Sequence, residues 1–222
     1  MDEKAKINPY TIIIVILIII IAVFAYNQWG KKIFPASIET SDKGGVTVKL
    51  FEDDIEIGNK DAPVTIVEYF SYLCGYCELF HDQTYPKILE DYITTGKVKY
   101  IFRPYPPYEL SAAILCANEQ DKFFEYHDVL FKNAGDIEKA DDLKELAKNV
   151  DLDENEFNQC FDSQKYLDRA KEWYQQGQDD FEKAGVPENQ RGTPTFFING
   201  EPLIGAQPYE SFVEMIERKL SE

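Results

Sequence analysis

Residues 64–70, Val-Thr-Ile-Val-Glu-Tyr-Phe, form a nearly unbroken β-branched and aromatic run. Such a run predicts a strand covered on both faces. Helical spacing follows over residues 78–93, with Leu79, Ile88, Leu89, Tyr92 and Ile93 as apolar positions and Gly96 placed to close the helix. Residues 98–102, Val-Lys-Tyr-Ile-Phe, predict a second strand. Strand, helix, strand in this order predicts a βαβ unit and a parallel pair. Upstream, residues 46–51 alternate weakly and predict a first strand.

The pattern changes over residues 109–184, where residues 110–117, 123–131, 143–150 and 157–181 all favour helical periodicity. Asp153 and Glu156 resemble a capping box before Phe157. Strand character returns at residues 195–198, Asn199-Gly200 predicts a hairpin turn, and residues 202–204 predict the partner strand. Pro208 suits the first turn of a last helix reaching Leu220. The predicted fold is α/β: a thioredoxin-like mixed sheet, β-βαβ then ββα, interrupted by a helical lobe.

One segment obeys a different pattern. Residues 11–26 read TIIIVILIIIIAVFAY, with no charge, Gly or Pro. As a helix the run would be roughly 24 Å long, against a hydrocarbon thickness of about 30 Å. Tyr10, Tyr26 and Trp29 flank it as interfacial anchors. No polar stripe marks it as a core helix. The alternative is a cleaved signal peptide, for which Val23-Phe24-Ala25 is an acceptable site; the length of the run favours an uncleaved anchor. Lys4 and Lys6 precede the span and Lys31 and Lys32 follow it, so charge does not set its orientation. With the short N-terminus inside, both readings export the rest of the chain. The expected organisation is a tail at 1–9, a transmembrane anchor in membrane lipid at 10–29, a stalk with the first strand at 30–60, and a domain at 61–222 whose helical insertion spans about 108–185.

Composition adds exclusions. A net charge of -17 repels phosphate backbones and argues against nucleic-acid partners. Four cysteines are too few for a disulfide-dense scaffold, and two histidines leave little for a histidine metal site.

Two of the cysteines have a special spacing. Cys74-Gly75-Tyr76-Cys77 falls where the buried strand turns into a helix. Free N–H groups and the dipole at that helix end stabilise a thiolate at Cys74, the species that exchanges disulfides. Cys77, one turn on, is placed to resolve a mixed disulfide. Cys74 is therefore the candidate nucleophile and Cys77 the resolving thiol. In a competing reading, Cys74, Cys77 and His81 share one helical face and are three zinc ligands, with no fourth evident in sequence. His81 otherwise reads as a half-exposed helix residue beside the site. No cofactor and no resident metal are expected.

The stretch from Val67 to Cys77, VEYFSYLCGYC, and that from Gly192 to Gly200, GTPTFFING, resemble the DsbA-like branch of the thioredoxin superfamily. The resemblance extends over about residues 61–220. It implies oxidation of thiols in reduced, unfolded exported proteins outside the cytoplasm, with reoxidation by a membrane quinone reductase of the DsbB or vitamin K epoxide reductase type. Glu68 matches the family's buried acidic residue, implying a proton carrier for Cys77 through water; the alternative is a solvent-facing strand position. Thr193-Pro194 matches the cis-proline loop, where the Thr193 backbone pairs with an extended substrate; the alternative is a plain turn proline. The family also pairs cysteines where Cys116 and Cys160 stand, implying a second, structural disulfide between them; the alternative is two buried free thiols.

One departure keeps the direction of the chemistry open. Strongly oxidising members carry a histidine between the cysteines, whereas Cys-Gly-Tyr-Cys also occurs in disulfide isomerases, which add an N-terminal dimerisation domain. Potentials among such proteins span roughly 150 mV, about 7 kcal/mol. An isomerase or reductase of the same fold, and a non-catalytic zinc-binding or chaperone module, stand beside the oxidase reading.

Overall fold

In the computed structural model, which describes residues 45–222, β2 (Val64–Phe70) and β3 (Val98–Pro104) pair in parallel, from Val64 against Val98 to Phe70 against Pro104. Two hydrophobic runs lie side by side at the centre of a five-stranded sheet of order β1-β3-β2-β4-β5. β1 (Ile55–Gly58) flanks β3, β4 (Thr195–Ile198) flanks β2, and β5 (Glu201–Ile204) closes the far edge, all three antiparallel to their neighbours. Asn199 and Gly200 both take positive φ, +46° and +82°, which is why this dipeptide makes the β4–β5 turn. A Cβ at Gly200 would also lie 1.8 Å from the Val46 carbonyl oxygen.

The first strand is not where alternation placed it. Residues 46–50 lie outside the ladders, and Val46 donates its N–H to the Gly200 carbonyl at 2.9 Å. The chain turns at Phe51–Asp54, where the Phe51 N–H donates to the Asp54 carboxylate at 2.9 Å, and pairing starts only at the buried Ile55. The weak 46–51 alternation did not register that Asp54 would be drawn inside by Arg103.

The single helix expected over 78–93 is three pieces: α1 (Gly75–Gln83), α2 (Tyr85–Ile88) and a π-helical turn (Leu89–Ile93). Pro86 forces the break, since inside a continuous helix its ring would collide with the carbonyl four residues back. Of the expected apolar positions Ile88, Tyr92 and Ile93 are buried and Leu89 packs against the core, but Leu79 is exposed and Phe80 is buried in its place.

Five helices follow: α3 (Tyr108–Asn118), α4 (Phe123–Asn133), α5 (Ala140–Asn149), α6 (Glu154–Asp162) and α7 (Leu167–Lys183). Asp153 caps α6, accepting from the Glu156 N–H at 2.9 Å. The periodic stretch 157–181 breaks between α6 and α7, where Gln164 adopts φ +56°, a conformation outside right-handed helix. A disulfide joins Cys116 on α3 to Cys160 on α6, with Cα atoms 5.8 Å apart. It closes a loop of 44 residues, for which the chain-entropy relation gives at most about 4 kcal/mol. α8 (Tyr209–Leu220) ends the chain and packs Phe212 against Phe80 and Phe196.

Alternation along the strands divides the buried side chains between the two sheet faces. Ile66 and Phe70 join Tyr100 and Phe102 in the larger cluster, under α1, α8 and the helical lobe. Val67, Tyr69 and Ile101 join Phe181 of α7 in the smaller one. Glu68 has the parity of Ile66 and Phe70, so its carboxylate enters the larger core.

Among the described residues no helix is long and apolar enough to cross a membrane. The span expected at 10–29, the tail before it and the stalk to residue 44 lie outside those residues.

Candidate active site

Cys74 occupies the N-cap position of α1 in extended conformation, φ -101° and ψ 109°. Its carbonyl already accepts from the N–H groups of Cys77 and Glu78, at 2.9 and 3.2 Å. The side chain therefore sits at the open end of the helix, half-exposed and unbridged, while Cys77 is buried. Burial opposes ionisation of Cys74. The side chains of Thr193 and Cys77 and the N–H groups of Cys77 and Tyr76 more than offset it, and the thiol lies below its ordinary pKa. For Cys77, burial dominates and raises the pKa, with the Glu68 and Cys74 charges adding to it against one favourable contact from the Ser71 N–H. That N–H donates to the Cys77 sulfur at 3.4 Å. One thiol is thus poised to attack or leave as thiolate, and its partner holds its proton.

The second wall of the site is the turn into β4. Thr193-Pro194 is a cis peptide bond, and the Cys74 thiol donates to the Thr193 carbonyl at 3.3 Å. The structure thus brings the Thr193 carbonyl of the cis bond to Pro194, 119 residues along the chain, to the Cys74 sulfur. A second cis bond, Pro106-Pro107, lies at the end of β3, and the Ser71 hydroxyl donates to the Pro106 carbonyl at 3.1 Å. Between these two proline turns and α7 runs an open cleft of about 550 Å³, lined by Ser71, Tyr105, Tyr174, Arg191 and Thr193 among others. Next to the cysteines in the chain, Leu73, Tyr76 and Leu79 are exposed apolar side chains, Tyr76 at 70%.

Glu68 is fully buried rather than solvent-facing. Its carboxylate accepts from the Tyr100 hydroxyl at 2.9 Å and contacts His81 Nε2 at 3.1 Å. His81 is correspondingly less exposed than expected, with 8% of its side chain accessible. Its Nδ1 faces His127 Nε2 at 3.4 Å, so both ring nitrogens are engaged away from the cysteines. The three-ligand grouping of Cys74, Cys77 and His81 is therefore not formed, and among the described residues no cluster of three or more His, Cys, Asp or Glu could hold a metal ion. Sequence reasoning missed His127 altogether. Its spacing within α4 is that of a core residue, and nothing local marks it as a partner of His81. Cys116 and Cys160 are bridged within the helical lobe and share no hydrogen bond with the site.

The profile of the thioredoxin family matches residues 51–218. Disulfide bond formation protein D of Bacillus subtilis is 28% identical over 181 residues, covering 74% of this chain and 76% of that protein. A Rickettsia bellii protein described as a candidate protein-disulfide oxidoreductase is 29% identical over 173 residues, 70% of this chain. The match takes in 60% of that protein, so the chain spans less than two thirds of this relative's length. Among solved structures, α-DsbA1 of Wolbachia pipientis superposes with a TM-score of 0.62 at 27% identity, covering 78% of this chain and 93% of that one. BdbD of Bacillus subtilis shares the fold at a TM-score of 0.65 and 24% identity, with 82% and 100% covered. Sheet order, a cysteine pair opening α1, a cis-proline turn against it and a helical lobe between the two halves coincide with a family profile over most of the chain: this protein belongs to the thioredoxin family and is DsbA-like in fold.

Proposed function

We propose that this chain is a thiol–disulfide oxidoreductase that forms disulfides in reduced, exported proteins through Cys74 and Cys77. The observation that carries the reading is the division of labour between the two sulfurs. Cys74 is accessible and easily ionised, and Cys77 is buried and holds its proton. In the oxidised protein a substrate thiolate attacks Cys74. The Cys74–Cys77 bond breaks, a substrate–Cys74 bond forms, and Cys77 leaves with the electron pair and takes up a proton from water, with Glu68 as the carrier. A second substrate thiolate then displaces Cys74 as thiolate. A low pKa at Cys74 favours this direction, because a stabilised leaving thiolate makes the disulfide a stronger oxidant. An isomerase or reductase would run the same steps in reverse. The Thr193 backbone beside the thiol suits strand addition by an extended chain, and the cleft beside it suits an unfolded polypeptide.

The test is to mix the oxidised chain with a reduced, unfolded polypeptide and follow both partners. The expected result is loss of two substrate thiols for each cysteine pair reduced. Failure of transfer, with zinc bound by the purified protein, would instead support the binding-module reading.

The apolar run at 11–26 supports a single-pass membrane protein; the DsbA-like resemblance supports a catalytic domain on the extracytoplasmic side, reoxidised by a membrane quinone reductase of the DsbB or vitamin K epoxide reductase type. The full chain should remain in the membrane pellet after alkaline carbonate extraction. A mature N-terminus at Tyr26 would show a cleaved signal peptide instead.

A further inference from the structure

The sequence contains two histidines, and the fold brings both rings together, 4.7 Å between centroids, in the core beneath the thiols. Five side chains from five segments form one chain of hydrogen bonds. The Tyr72 hydroxyl lies 2.9 Å from His127 Nδ1, His127 Nε2 lies 3.4 Å from His81 Nδ1, and His81 Nε2 lies 3.1 Å from Glu68. The Tyr100 hydroxyl donates to the other Glu68 oxygen at 2.9 Å.

The hydrogens can be placed from the ends inward. Burial lowers the pKa of His127 well below its ordinary value, so His127 is neutral. A neutral ring has one donor and one acceptor. Tyr72 donates to His127 Nδ1, which leaves Nε2–H to donate to His81. A neutral His81 ring then accepts at Nδ1 and donates from Nε2 to Glu68. Every donor points at the carboxylate. Burial raises the pKa of both terminal tyrosines, with the Glu68 charge adding to it at each, so neither end releases a proton. The arrangement is therefore not a conduit to solvent. It fixes one tautomer of His81, and through it the orientation of the Glu68 carboxyl group.

Building on the reading above, in which Glu68 exchanges the proton of Cys77, we propose that His81 is the positioning residue that holds Glu68 ready for that exchange, and that His127 sets His81 from the helical lobe. The titratable groups facing His81 are Glu68 on β2, Tyr85 on α2 and His127 on α4; Tyr72 reaches it through His127 and Tyr100 through Glu68, and Asp128 acts on Tyr72 and Tyr85 from the surface of α4. No cation lies in this set, so His81 is the donor that compensates the buried charge opposite Tyr100. α4 belongs to the inserted lobe, so a residue outside the thioredoxin core sets the geometry of the core's proton acceptor.

An aromatic disulfide that releases a coloured thiolate separates the two sulfurs in time. In the first phase the Cys74 thiolate attacks the reagent, forms a mixed disulfide and releases one aromatic thiolate. In the second, Cys77 gives up its proton and attacks the Cys74 sulfur. The Cys74–Cys77 bond forms and the second aromatic thiolate leaves. In His81→Phe the first phase should stay within about twofold of the parent, while the second slows roughly tenfold or more and its pH profile moves toward that of Glu68→Gln. His127→Phe should slow the second phase several-fold. His127→Gln, which keeps a donor and an acceptor, should restore it.

A folded His81→Phe protein with the parental second phase and pH profile would overturn the proposal, as would equal slowing of both phases. If His81→Phe does not fold, the contrast between His127→Phe and His127→Gln decides, and equal behaviour of those two counts against it. If Glu68→Gln itself leaves the second phase unchanged, the proton-acceptor reading of Glu68 fails. If Glu68→Gln slows that phase and His81→Phe does not, only this inference fails.

Discussion

Replacing Cys74 by Ser is expected to abolish thiol transfer, whereas Cys77→Ser should accumulate mixed disulfides with substrate. The asymmetry follows from position. Cys74 caps α1 at the surface, held by the Thr193 carbonyl, where an incoming sulfur reaches it. Cys77 is buried one turn further on and reaches only the Cys74 sulfur. Without Cys74 no sulfur remains that a substrate can address, and exchange should fall to the uncatalysed background. Without Cys77 the first bond still forms when reduced protein meets a disulfide substrate, but nothing inside the protein displaces the substrate. Non-reducing electrophoresis with mass measurement reads both outcomes. Equal trapping by the two variants would show that the assigned roles are wrong.

The second large effect lies on the opposite face of the sheet. Arg103 on β3 is completely buried, and its guanidinium donates to Asp54 through Nε at 2.9 Å and Nη2 at 2.6 Å. It also donates to the Tyr69 hydroxyl at 2.8 Å and to the Lys49 carbonyl at 2.7 Å. Asp54 accepts in addition from Trp173 Nε1 at 2.8 Å, and the Tyr69 hydroxyl donates to Asp180 at 2.7 Å. Burial disfavours the Arg103 charge, but Asp54 and Tyr69 more than offset this and hold it above its ordinary pKa. Asp54→Ala strands a cation in the core and should destabilise the fold by about 3–5 kcal/mol. Asp54→Ala with Arg103→Met removes both charges and should recover much of that loss. Urea midpoints at constant slope report the difference. A shift below about 1 kcal/mol for Asp54→Ala would mean that water or a rearranged carboxylate already screens Arg103.

How much of this was legible beforehand follows the range of each interaction. Runs such as residues 64–70 and 98–102 announce central strands because both faces of a parallel pair are covered, and that requirement is local. The Asn199-Gly200 turn, the Asp153 cap and the cysteine pair at a strand-to-helix junction are local as well, each set within about four residues. The break at Pro86 was equally local, and the apolar stripe concealed it.

What the sequence could not supply is orientation and partnership across the chain. Which of the two cores Glu68 enters, and whose partners it meets there, depends on which sheet face α1 covers. That face is decided by packing of Phe80 against Phe196 and Phe212, not by any neighbour of Glu68. Residues 46–50 lie outside the sheet, and Asp54, just before β1, is held by Arg103, 49 residues away. His81 and His127 stand 46 residues apart on different helices, and only the docking of the lobe onto the sheet brings their nitrogens together. The sequence by itself therefore determined the elements, their order and the reactive pair, because periodicity, turn chemistry and a helix terminus act over a few residues. The tertiary structure alone decided what surrounds that pair, because burying a charge requires partners from wherever the fold happens to bring them.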